Sequence, residues 1–153
     1  GSFLSARSDV LATVVASLRR LSVDVMLATG STPASELGEL PEHWLVRPYL
    51  PQVACLAHAD LAITHGGNNS VTESLYHGVP MIVLPFSTDQ FAGAAAVERH
   101  GSGVALAPNE LDAVTLGAAV AEVLDGPFGK VAGTVGDVLR GRPGPQVARA
   151  AMA

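Results

Sequence analysis

The chain has one cysteine in 153 residues, Cys55, so it can form no internal disulfide, and such sparing use suggests a reducing compartment. Charge is also scarce, at 15% of residues, and what there is leans acidic: nine Lys and Arg against 14 Asp and Glu, a formal net charge of −5. Without a basic field, nucleic acid and anionic membrane surfaces are disfavoured as partners, and any anion must be held by local groups. No apolar run approaches the ~20 residues of a membrane span, and no signal-peptide layout is visible, which leads to the expectation of a soluble, cytoplasmic domain. The five histidines, His43, His58, His65, His77 and His100, set no two side chains on one helix face, so no metal site is expected. The Gly-x-Ser-x-Gly elbow of a hydrolase is missing too.

What the chain does have is apolar content: 48% hydrophobic residues, enough for a core without metals or disulfides. Its periodicity alternates. Helical spacing of Val10, Leu11, Val14, Val15 and Leu18 predicts a first helix, followed by a strand over 23–28, a short helix over 52–59, and a strand over 61–64. A helix over 69–77, a strand over 81–84, a helix over 90–100 stopped by Gly101, a strand over 104–107 and a helix over 111–124 capped by Asn109 complete the series. Alternating short strands and helices read as an α/β fold, a Rossmann-like doubly wound parallel sheet in one domain. Residues 1–141 are assigned to that domain and 142–153 to a Gly- and Pro-rich C-terminal tail.

The run His65-Gly66-Gly67-Asn68-Asn69-Ser70 follows the apolar strand and opens a helix. Glycines at that junction aim unpaired backbone N–H groups at one point, which suits a phosphate. Glu73 follows on the same helix. The next strand ends at Pro85-Phe86-Ser87-Thr88-Asp89-Gln90, so two successive parallel strands present polar residues at one sheet edge, where open α/β folds bind ligands.

Residues 49–90, YLPQVACLAHADLAITHGGNNSVTESLYHGVPMIVLPFSTDQ, resemble the donor-sugar signature of nucleotide-sugar-dependent glycosyltransferases, the group containing plant secondary-product, animal glucuronosyl and bacterial macrolide enzymes. The matching elements are aromatic-x-Pro-Gln, His-x-Gly-x-Asn-Ser, a Glu three residues after that Ser, His-Gly-Val-Pro-Met and the closing Asp-Gln, in register without a gap. The resemblance implies that His65, Gly66, Gly67, Asn69 and Ser70 meet the pyrophosphate, that Glu73 takes the ribose hydroxyls, and that Asp89 and Gln90 grip the transferred sugar. It also implies that Tyr49 stacks on the base where the family usually has Trp, that Leu50 lends its backbone to the base edge, and that Gln52 adds a contact near the ribose. Each has a plainer alternative. Asn69, Ser70 and Asp89 can cap helices, Glu73 can complement a helix dipole, Tyr49 can pack in the core, and Gln52 can simply begin its helix. Asn68 stands where the plant pattern has Trp, so plant sugar preferences are not carried over.

By the same resemblance the chain is the donor half of an inverting, metal-independent glycosyltransferase with a two-domain B-type fold. It is expected to lack the strand that the family places before its first helix, and to need an N-terminal acceptor domain that supplies the general base. No catalytic residue is then expected in this chain, which alone should be inactive, and no cofactor is expected, the nucleoside-diphosphate sugar being a substrate. The choice between uridine and thymidine donors stays open. Two alternatives remain: the donor subunit of a split transferase, or a noncatalytic Rossmann-like interaction module. Apolar surface that would face the other domain also leads to the expectation of self-association.

Overall fold

The computed structural model describes residues 7–141. In chain order the elements are α1 Ser8–Leu18, β1 Met26–Ala28, β2 Leu45–Arg47, α2 Gln52–Leu56, β3 Ala62–Thr64, α3 Asn68–Tyr76, β4 Met81–Val83, α4 Thr88–His100, β5 Gly103–Ala105, α5 Ala113–Asp125 and α6 Phe128–Arg140, with short 3-10 turns before β2 and α5. Among the described residues all strand pairings are parallel, as the alternation of strands and helices predicts. They form two hydrogen-bonded groups, β1-β2 and β3-β4-β5, and β1 and β3 are not paired to each other.

Strand β4 is the axis of the core. Met81, Ile82 and Val83 are all 0% exposed, because both faces of this strand are covered and its residues are correspondingly apolar throughout. On one face Ile82 and Leu84 pack with the stripe Val10, Leu11, Val14, Val15 and Leu18 of α1 and with Leu116, Ala119, Val120 and Val123 of α5. On the other, Met81 and Val83 pack with Ala94 and Val97 of α4, and with Val71 and Leu75 of α3. Helices therefore lie on both sides of a parallel sheet, and the doubly wound α/β expectation holds.

Three local expectations are corrected. Helix α5 begins at Ala113, not near 111, and its cap is Asp112, whose Oδ1 accepts from the N–H groups of Val114 and Thr115 at 2.9 and 2.7 Å; Asn109 lies in the preceding 3-10 turn. The strands are shorter than the apolar runs, β1 starting at Met26 rather than 23. The sequence predicts no element between Leu124 and the tail, yet Phe128–Arg140 folds into α6. Its glycines cost helix propensity, roughly 0.8–1.0 kcal/mol each, but they let it dock on α3: a Cβ added at Gly136 would lie 2.6 Å from the Leu75 carbonyl oxygen. At the end of α6, Arg140 donates to the Tyr76 carbonyl and, at 2.7 Å, to Asp137. The proposed tail, 142–153, lies outside the described residues.

Candidate functional site

Within β3-β4-β5 the strands run parallel, so the segments that follow β3 and β4 emerge at one edge, and the hydrogen bond of Gln52, soon after β2, to Glu73 of α3 brings the segment that follows β2 to the same side. Tyr49 and Leu50 follow β2, His65 to Gly67 follow β3, and Ser87 to Gln90 follow β4. The turn after β3 is locally determined. Gly66 has φ +84°, a region L side chains rarely adopt, and its N–H donates to the buried Thr64 hydroxyl at 3.3 Å. A side chain at Gly66 would also strike Val83 Cγ1, at 2.5 Å from a Cβ, so this turn sits directly on the central strand.

Helix α3 starts with Gly67 as its N-cap, which offers no side chain to its first turn. The capping alternative for Asn69 and Ser70 therefore loses its main support: both lie inside the helix, and Gly67 gives the first-turn N–H groups no side-chain acceptor. Gly67 itself is small for a reason. A Cβ there would be 2.6 Å from His65 Nε2, so the imidazole lies against the entry to α3. His65 is half-buried, and burial holds its pKa below the ordinary 6.5, while the nearby Asp89 carboxylate acts in the opposite direction. That mutual influence brings the β3–α3 and β4–α4 turns together electrostatically. Asp89 is itself exposed and held below the usual carboxylate range, first by the Ser87 hydroxyl, which donates to its Oδ1 at 2.8 Å.

A second group joins residues from two helices. Gln52, at the start of α2, donates from Nε2 to Glu73 Oε2 at 2.7 Å and to Ser70 Oγ at 3.4 Å. Gln52, Ser70 and Glu73, separated by up to 21 residues in sequence, thus make one polar cluster beside the N-terminus of α3. Gln52 does begin its helix, and it also orients Glu73. Tyr49 is 79% exposed, which removes the core-packing alternative and leaves an aromatic face turned to solvent at the same edge. Gln90 is placed differently from Asp89: it is only 2% exposed, and its Oε1 accepts the Phe86 N–H at 2.8 Å, so it braces the turn in which Asp89 sits.

Some features of this edge were not singled out from the sequence. Thr64 and Ser87 hold the two turns, and their signal is a hydroxyl two residues before the group it binds. A pocket of about 190 Å³ lies between the ends of β1 and β2, lined by Thr29, Ser31, Thr32, Arg47 and Pro48 among others; none of the site residues named above lines it. Cys55 is half-buried in α2, and among the described residues no group of three or more His, Cys, Asp or Glu could hold a metal ion. No described helix is long and apolar enough to cross a membrane.

The model of the UDP-glucoronosyl and UDP-glucosyl transferase family matches residues 1–145. The chain belongs to that family. Among curated relatives of this glycosyltransferase family, an uncharacterized UDP-glucosyltransferase, YojK, of Bacillus subtilis is 41% identical over 102 residues, 66% of this chain and 25% of that protein. The demethyllactenocin mycarosyltransferase of Streptomyces fradiae is 32% identical over 125 residues, 81% of this chain and 27% of the enzyme. In structure, the chain is similar to the glycotransferase of kitacinnamycin, with a TM-score of 0.83 and 33% identity over 92% of this chain and 37% of that one. It is similar also to the spinosyn rhamnosyltransferase SpnG, with a TM-score of 0.84 and 25% identity over 100% of this chain and 43% of the other. The chain therefore has the fold of one part of these glycosyltransferases, and it spans between 25% and 32% of the first curated relatives it matches.

Proposed function

We propose that this chain binds the nucleoside-diphosphate sugar for a glycosyltransferase that moves the sugar to an acceptor hydroxyl. The observation that carries the reading is the cluster of Gln52, Ser70 and Glu73 beside an uncapped helix N-terminus, within one edge that also carries Tyr49 and Asp89. A diphosphate needs hydrogen-bond donors and positive potential, and the start of α3 supplies both: the macrodipole contributes about 0.3–2 kcal/mol and each charge-assisted hydrogen bond about 1.5–3 kcal/mol. His65, Gly66, Gly67, Asn69 and Ser70 take the pyrophosphate. The Glu73 carboxylate, already oriented by Gln52, accepts from two ribose hydroxyls. Tyr49 offers its face to the base with the Leu50 backbone at the edge, and Asp89 meets the sugar from a turn braced by Gln90.

In the reaction, the acceptor oxygen forms the new bond at the anomeric carbon as the bond to the diphosphate oxygen breaks. The electron pair goes to the diphosphate, and the acceptor proton goes to a general base. This chain's part is to hold the leaving group and absorb its growing charge at the α3 N-terminus. Attack from the face opposite the diphosphate inverts the anomeric centre. The general base and the acceptor pocket belong to another domain, so the purified chain alone binds donor and transfers nothing. Nuclear magnetic resonance titration of the chain with uridine diphosphate tests the reading: shifts should concentrate on Tyr49, Gln52 and residues 65–73. Shifts centred on the Thr29–Arg47 pocket, or detectable transfer to a small acceptor by the chain alone, would contradict it.

A further inference from the structure

Gly93 lies in the second turn of α4, where glycine is a poor helix former, so its presence calls for a tertiary reason. That reason is Gly66. A Cβ at Gly93 would strike the Gly66 carbonyl oxygen and reach Val71 Cγ2 at 3.6 Å, so α4 presses its bare Cα onto the turn that leads into α3. The same turn is confined from other directions: a Cβ at Gly66 would lie 2.5 Å from Val83 Cγ1, 3.2 Å from the Gln90 carbonyl oxygen and 3.8 Å from the Ala94 nitrogen. Gly66 is accordingly buried, wedged between the central strand and the first two turns of α4.

This contact decides which way the Gly66–Gly67 peptide faces. In a trans peptide the carbonyl and the following N–H point in opposite directions. The Gly66 carbonyl is turned to Gly93, so the Gly67 N–H points away from α4. Turning that peptide over changes only ψ of Gly66 and φ of Gly67, and with glycine on both sides no Cβ opposes the change. The turn's own sequence therefore leaves two orientations open, with opposite consequences for an anion: one offers it a donor, the other a carbonyl oxygen. What the carbonyl meets at Gly93 is a Cα, whose hydrogens make only weak C–H···O contacts, so closeness of fit rather than bond strength selects the orientation.

We propose that Gly93 is a positioning residue for the donor diphosphate: by leaving room for the Gly66 carbonyl against α4, it fixes the Gly66–Gly67 peptide with its N–H as a donor to the phosphate, beside the first N–H groups of α3. The inference rests on the donor-binding reading above. A methyl group at position 93 removes that room, and the peptide turns over or the whole turn shifts. Either way the diphosphate loses a donor, and a turned peptide sets a carbonyl oxygen against it.

Nuclear magnetic resonance on the 153-residue chain tests this, with uridine or thymidine diphosphate, whichever binds the wild-type chain more tightly. In the wild-type chain residual dipolar couplings should orient the Gly67 N–H away from α4, and the bound diphosphate should give a nitrogen–phosphorus coupling across a hydrogen bond at that amide. Gly93→Ala should abolish the coupling, reorient the N–H and weaken binding by roughly ten- to a hundredfold. Val97→Ala, which opens space under the next turn of the same helix, should lower Tm yet leave coupling and affinity as in the wild type. A bound diphosphate without coupling at Gly67, or a Gly67 N–H turned toward α4, overturns the proposal from the wild-type chain alone, so a variant that does not fold does not hide the answer. Gly93→Ala binding as tightly as the wild type, or Val97→Ala losing as much affinity, overturns it as well. In those cases the donor-binding reading stands, whereas a folded wild-type chain that binds neither diphosphate overturns that reading and the proposal with it.

Discussion

Glu73 and Gln52 can be removed one at a time and together, and the pattern of losses identifies what the pair holds. In the free protein Glu73 Oε2 accepts from Gln52 Nε2 at 2.7 Å, so part of the carboxylate's hydrogen bonding is satisfied before any ligand arrives. A ribose adds two hydroxyl donors, each about 1.5–3 kcal/mol to a charged acceptor. After the existing Gln52 contact and competition from water are set against that gain, Glu73→Ala should cost about 2–3 kcal/mol, roughly 30- to 150-fold in Kd. Gln52→Ala leaves the carboxylate in place but unoriented, and should cost about 0.5–1.5 kcal/mol, roughly two- to twelve-fold. Since Gln52 acts mainly through Glu73, the double variant should bind about as weakly as Glu73→Ala alone, a coupling near the full Gln52 effect. Calorimetric titration with uridine diphosphate reads these values, and the 2′,3′-dideoxy analogue isolates the hydroxyls: its binding should be insensitive to Glu73→Ala. Additive losses, or an equal loss for the dideoxy analogue, would refute the assignment of Glu73 to the ribose.

Other outcomes follow from the same geometry. Because burial lowers the His65 pKa, the folded protein keeps the imidazole neutral while the unfolded chain protonates it below pH 6.5. Its contribution to stability is thus present above that pH and lost as pH falls toward the lower folded value; a urea midpoint series should show the loss, smaller in His65→Asn. A bound diphosphate favours the protonated imidazole and so raises the His65 pKa, and binding below the ordinary 6.5 should take up protons, measurable as buffer-dependent calorimetric heats that shrink in His65→Asn. Gly136→Ala places a Cβ 2.6 Å from the Leu75 carbonyl oxygen and should destabilise the α3–α6 contact by about 1–3 kcal/mol. Gly133→Ala meets nothing within 4 Å and should be neutral or gain up to about 1 kcal/mol from helix propensity; thermal denaturation of the two variants decides, and similar losses in both would contradict the packing argument. Asp112→Ala removes the acceptor of two N–H groups at the start of α5 and should cost about 1 kcal/mol in the same assay.

The legibility of the fold follows the range of the forces involved. Strand β3, the glycine turn and α3 were readable because the apolar run, the glycines and the helix entry are adjacent in sequence and each local preference agrees with the fold. Helix α6 was not, because its glycines argue against a helix locally and their value lies in contact with α3, some 60 residues away, as at Gly136 and Leu75. At the site, the turn residues and Glu73 were readable, but the bond between Gln52 and Glu73 is tertiary and no spacing rule gives it. The inward turn of Gln90 had a signal: Gln90, Ala94 and Val97 recur at helical spacing and form the buried face of α4, so Gln90 faces the core while Asp89 faces out.

A calorimetric titration of the folded chain with uridine diphosphate, thymidine diphosphate and adenosine diphosphate tests the central claim most directly. The account predicts saturable one-site binding of a pyrimidine diphosphate, with adenosine diphosphate markedly weaker. A folded chain that binds none of the three, or binds all three alike, would contradict it.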